Sequence, residues 1–212
     1  MRIYKDKYLS VTSVLQLKDP FNREAYIKWC EKQGLDHKVI TKTSQIIGSK
    51  VSEHIENLYR GLEWLSAPCV DYLEEAYIQG AEDFVEEFEI EASEVEVVCK
   101  ELNYAGRFDG IISDGKKRYL ADWKTYGAWK KEPYKRDSKK IKSAREQLSL
   151  YAHALDWEDS LAVVVFKNDG TWDFEELEFD EDIVKWVRDN QEKIIKIIKE
   201  QNEKNKRLKE EV

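Results

Sequence analysis

The sequence predicts an α/β fold: a mixed central sheet flanked by helices, behind a helical N-terminal region. Two textures carry that prediction. Before about residue 90, apolar residues recur at helical spacing, whereas from Val95 onward short runs rich in β-branched and aromatic residues alternate with turn signals. Length adds a third argument, because 212 residues with 42% hydrophobic and 12% aromatic content suffice for one sizeable core. No repeat or linker divides the chain, so one domain over 1–212 is expected. Its parts are a helical 1–90, a sheet and helix at 94–180, and a C-terminal helix at 181–212.

The elements follow in order. Asp19-Pro20 is a helix start, with an oxygen acceptor at the cap and proline in the first turn, and Gly34 is the stop. A second helix is expected from Lys38 to Tyr59, ending at Gly61 and carrying Ile46, Ile47, Val51, His54, Ile55 and Leu58 at near-helical spacing. A third runs from Ser66 to about Phe88. Strands are expected near residues 95 and 105, then a turn at Ser113-Asp114-Gly115-Lys116 and a returning strand from Arg118 to Lys124. Pro133 and the lysines up to Lys140 read as a loop, and Ile141 to Leu155 as a helix. Leu161 to Lys167 and Trp172 to Phe179 form a second hairpin about Asn168-Asp169-Gly170. Asp180 caps one long final helix.

The formal charge of -8 argues against a polyanion partner when taken alone. Distribution reverses that. Lys116 to Arg145 holds twelve Lys or Arg and three acids, while Asp71 to Glu101 holds twelve acids and one Lys. The basic stretch is suited to phosphate, though a plain solvated face fits such a run equally. Cys30, Cys69 and Cys99 are odd in number and widely spaced, which argues against a disulfide framework or zinc ribbon. Met1 to Lys7 has no apolar core of the signal-peptide kind, and no apolar run is long enough to span a bilayer. A cytoplasmic protein without membrane contact is expected.

Chemistry concentrates around one hairpin. Asp122 and Lys124 are two apart and so share a strand face, and Asp109 precedes the turn on the neighbouring strand. If Asp109 lies across from them, two carboxylates and the Trp123 carbonyl offer oxygen ligands to a hard cation, with an ammonium beside it. Taken singly, an acid or lysine in a strand is usually solvent-facing. Together, in the apolar setting of Tyr119-Leu120-Ala121 and Trp123, an uncompensated Asp122 would be costly.

The runs Gly106-Arg107-Phe108-Asp109, Asp122-Trp123-Lys124 and Gln147-Leu148-Ser149-Leu150-Tyr151 resemble the RecB-like branch of the PD-(D/E)XK nucleases, with its Gly-x-x-Asp strand, Asp-x-Lys strand and Gln-x-x-x-Tyr helix. Gly48 and His54 are similar to the helix that brings a histidine to the metal in this branch. Ser10 to Leu15 and Glu101 to Gly106 further resemble the mitochondrial genome maintenance exonuclease family. The resemblance implies a restriction-endonuclease-like sheet and a Mg2+- or Mn2+-dependent deoxyribonuclease acting on single-stranded DNA from an end. It implies metal ligation by His54, Asp109, Asp122 and the Trp123 carbonyl, and catalysis by Asp109, Asp122, Lys124, Gln147 and Tyr151. Lys130, Lys131, Lys139, Lys140 and Arg145 are the expected DNA contacts, and replication or recombination proteins the expected partners.

Other readings fit some of the same residues. His54 suits a core position, and Gln147 and Tyr151 an ordinary amphipathic helix. Trp123, Tyr126 and Trp129 suit base stacking or the core equally. A fold that binds nucleic acid without cutting, as a subunit of a recombination or replication assembly, is the competing function.

Overall fold

A computed structural model of the chain describes residues 3–4, 6–32, 34, 36–62, 72–127 and 138–210. The elements are β1 (Ile3–Tyr4), β2 (Tyr8–Ser10), α1 (Val11–Lys18), α2 (Arg23–Lys32), α3 (His37–Tyr59), α4 (Tyr72–Glu87), β3 (Glu89–Cys99), β4 (Tyr104–Ser113), β5 (Arg118–Tyr126), α5 (Ser138–Leu155), β6 (Ser160–Lys167), β7 (Trp172–Leu177), α6 (Glu181–Asp189) and α7 (Gln191–Glu210). Among the described residues the strands form one seven-stranded sheet. It is mixed: β2 runs parallel to β4 and β5 parallel to β6, while the other pairs are antiparallel. The expected α/β architecture is the observed one.

Strand alternation sorts the core onto the two faces. Leu120 and Tyr126 of β5 and Leu161, Val163 and Val165 of β6 pack with Leu148 and Tyr151 of α5 and Ile183 and Val187 of α6. The intervening Ala121, Trp123, Ala162, Val164 and Phe166 pack with Ile47, Val51 and Ile55 of α3 and Tyr77 and Phe84 of α4. Burial on both faces explains why β6 reads as a continuous apolar run.

Three expectations change. The first ninety residues are not all helical, since β1 and β2 precede α1 and β3 begins at Glu89. Strands of two and three residues show no periodicity; pairing of Leu9 and Ser10 with Tyr104 and Ala105 defines β2. Asp19 does not start a helix but follows α1, its N–H donating to the Leu15 carbonyl at 2.9 Å. The Asn22 carboxamide, which accepts from the Ala25 N–H at 2.9 Å, holds the start of α2 instead. The final helix is two helices. Asp180 caps α6 as expected, but Asn190 ends it and donates from its side chain to the Trp186 carbonyl at 2.9 Å. The expected third helix is described only from Tyr72 on, and the loop about Pro133 lies outside the described residues.

Candidate active site

β4 has three neighbours and only two edges. β3 pairs along its whole length, from Cys99 opposite Tyr104 to Glu89 opposite Ser113. The other edge is shared: β2 covers Tyr104 and Ala105, β5 covers Gly110 to Ser113, and neither covers Gly106 to Asp109. The register of Gly110 with Ala121 places Asp109 and Asp122 at the point where the two strands part. Asp109 fills the gap with its side chain, accepting the Trp123 N–H on Oδ2 at 2.7 Å.

The alternation of β4 also slips here. Phe108 and Ile111, three apart, both pack on the α5 side of the sheet. Facing them on β3, Glu94 adopts a left-handed φ of 55° and lies between the pairs Ser93–Gly110 and Val95–Phe108, hence opposite Asp109. A left-handed non-glycine residue within a strand is uncommon and marks a built irregularity.

Asp122 is buried, 2% exposed, and its carboxylate forms an ion pair with the half-buried Lys124 ammonium. Burial raises the Asp109 pKa to about 7, and the charges of Asp122 and Glu94 add to that rise, while Lys124 and the Trp123 N–H oppose it. Burial disfavours the Lys124 charge, but Asp122 and Asp109 together outweigh it and hold the ammonium protonated. The cluster is therefore two crowded carboxylates and one amine, on hard oxygen donors that suit a small divalent cation. The crowding itself supports that fit, because a cation between the carboxylates would offset the burial and the repulsion that together raise Asp109.

α5 closes the site from one side. The Tyr151 ring lies directly over Gly106: a Cβ there would meet its hydroxyl and ring at 2.7 Å, so only glycine admits it. Gln147 Nε2 donates to the Tyr151 hydroxyl at 3.4 Å. Burial, with Asp122 and Asp109 adding, keeps the phenol protonated well above its ordinary range. Gly106, Asp109, Gln147 and Tyr151 line a cleft of about 570 Å³ with Glu94 and the first turn of α1.

No family model and no curated protein matches the sequence. Solved structures are similar over most of the chain. An alkaline exonuclease, LHK-Exo from Laribacter hongkongensis, is 12% identical, with 96% of this chain and 94% of that one covered and a TM-score of 0.49. LHK-Exo in complex with dAMP is 13% identical over 97% and 94%, with a TM-score of 0.49. SSO0001 is 17% identical over 90% and 77%, with a TM-score of 0.45.

Other expected site residues stand elsewhere. His54 is buried between α3 and α4, its Nε2 3.4 Å from Glu82, and burial lowers its pKa against the pull of that carboxylate. It approaches the sheet from the face opposite Tyr151. Among the described residues no three His, Cys, Asp or Glu side chains are grouped to hold a metal, so His54 is not gathered with the two aspartates. Trp123 and Tyr126 take the core alternative, at 7% and 6% exposure, with Trp123 packed edge-on against Phe84 and Phe166. Arg145 turns away, donating to the Glu178 carbonyl at 2.9 Å. Lys140 donates to the Thr125 carbonyl at 3.2 Å, beside Lys124, while Lys130, Lys131 and Trp129 lie outside the described residues.

Glu94 and its ion pair with Arg107, at 2.6 Å, escaped the sequence reading. A signal existed: the acids at Glu89 and Glu91 resume at Glu94 and Glu96, one position late for a strand. No helix of the described residues is long and apolar enough to cross a membrane.

Proposed function

We propose that the protein is a metal-dependent DNA nuclease of the PD-(D/E)XK superfamily, RecB-like branch, that degrades single-stranded DNA from an end. The observation that supports it is the gap in the edge of β4, where Asp109, Asp122 and Lys124 converge with no strand between them and an open cleft in front. A structural ion pair needs no such opening.

Asp109 and Asp122 would hold Mg2+ or Mn2+. The Trp123 carbonyl joins them, because the N–H and C=O of one strand residue point to the same edge and its N–H already reaches Asp109. The ion supplies a Lewis acid for phosphodiester hydrolysis. Lys124 places an ammonium beside the reacting phosphate, where negative charge develops. Gln147 and Tyr151 present donors over Gly106 and orient the phosphate or water. His54, held neutral by burial, is proposed as a further ligand on the sequence pattern alone, and reaching the aspartates would require it to leave Glu82.

The test is incubation of 5'- and 3'-labelled single and double strands with magnesium, manganese or a chelator. Progressive shortening of single strands in either metal, and none in chelator, is the expected result. Intact DNA in every metal would overturn the reading.

A further inference from the structure

α2 and the residues just before it expose aromatic rings that the core does not use. Phe21 is 65% and Trp29 43% exposed, and Tyr26 links them, its ring centroid 5.6 Å from Phe21 and 6.2 Å from Trp29, stacked on the latter. Soluble proteins seldom leave two such rings, joined by a half-buried third, open to water without a ligand for them. The three line a groove of about 790 Å³ that Lys124, Lys139 and Lys140 also line. A second hollow of about 720 Å³ continues past Phe21 and Tyr26 to Arg23, Lys38 and Lys42.

The charge of this face is the second observation. No Asp or Glu lines either hollow among the described residues, although the chain carries 43 acids against 35 bases. Aromatic platforms between cations, free of acids, are the combination that binds single-stranded nucleic acid, where bases stack in any sequence and phosphates pair with Lys and Arg. A peptide or a second copy of this acidic chain would not require both. We infer that this groove is the track of the single strand leading from Lys124, with bases on Phe21, Tyr26 and Trp29 and phosphates on Arg23, Lys38, Lys42, Lys139 and Lys140. The inference rests on the nuclease reading for its ligand class, but its test does not need cleavage.

Binding of a fluorescein-labelled oligo-dT is measured by anisotropy in EDTA across a salt series. The Phe21→Leu/Trp29→Leu variant keeps apolar bulk at two exposed positions and loses the rings. It should weaken binding roughly tenfold or more at an unchanged salt slope. Lys38→Gln/Lys42→Gln should lower the slope by about 1.4, the value for two single-strand phosphate contacts. An abasic oligomer should bind wild type weakly and not distinguish the ring variant from it. Ring variants that bind oligo-dT like wild type would overturn the inference. So would ring variants that lose only a dimer in sedimentation, since a second copy would then cover the face. Tight oligo-dT binding by a wild type that cleaves nothing in any metal would leave the groove standing and defeat the nuclease reading alone.

Discussion

The two openings beside Asp109, Asp122 and Lys124 are built from opposite materials. The cleft at the β4 gap holds Glu94 and Asp109 with Arg107 as counterion, under the Tyr151 ring. The groove along α2 holds aromatic rings and lysines and, among the described residues, no acid. Concentrated negative charge is what a cation site needs and what a phosphate backbone avoids, so one chain with a net charge of -8 can serve both only by separating them in space. Lys124 stands at the border. It pairs with Asp122 on one side and lines the groove on the other.

If that division holds, substitutions in the cleft should change turnover and those in the groove should change binding. The largest effect is expected for Asp122→Asn or Asp109→Asn, which should abolish cleavage while leaving oligonucleotide affinity in calcium close to wild type. Full activity of Asp122→Asn, measured at saturating manganese, would break the comparison. Lys124→Ala should lower single-turnover cleavage on the order of a hundredfold, because the ammonium acts where charge develops. Lys124→Arg should not restore the rate fully, since a planar guanidinium is wider than an ammonium. A normal rate with poor DNA binding would place Lys124 with the groove instead.

Gly106→Ala comes next. Its methyl group meets Tyr151 at 2.7 Å and must displace the ring or the strand. A stability loss of about 1–3 kcal/mol is expected from such overpacking, with turnover falling more than affinity. Unfolding in urea and single-turnover kinetics check the two parts separately.

Acidity gives a subtler probe of the cleft. The Asp109 carboxyl titrates near 7 in the folded protein against an ordinary 3.8, so the folded state binds this proton more tightly than the unfolded chain does. Its contribution therefore favours the fold at low pH and is lost as pH rises from about 4 to about 7. In chelator, Asp109→Asn should melt higher than wild type at pH 8 and show a flatter Tm profile across that window. Manganese should raise the wild-type Tm at pH 8 and not that of the variant. The smallest effect separates the lysines of the basic stretch from its arginine: Lys139→Gln/Lys140→Gln should lower the salt slope of DNA binding, whereas Arg145→Gln, bonded to Glu178 in the wild type, should leave it unchanged.

Much of this was legible beforehand for local reasons. The span of α3 follows from apolar spacing that ends at Gly61, and the structure adds Asp36 as its cap; the turn at Asp114 follows from a side chain that accepts the N–H groups of Lys116 and Lys117 at 2.8 Å. Asp122 and Lys124 share a face because strand periodicity requires it. Asp109 was harder to place, because the slip between Phe108 and Ile111 interrupts that periodicity at the residue that matters.

By itself the sequence determined the α/β pattern, the hairpin that carries the acids and the pairing of Gln147 with Tyr151 one helical turn apart. Those depend on intervals of two to four residues, which the backbone converts directly into direction. Only the tertiary structure decided that β2 returns to the edge of β4 and leaves Gly106 to Asp109 uncovered, that Glu94 faces Asp109, and that His54 meets Glu82. The same holds for the side of the molecule on which Phe21, Tyr26 and Trp29 join the lysines. Each of these is a contact between separate elements of the chain, and its position is set by how whole elements pack, which no local spacing encodes.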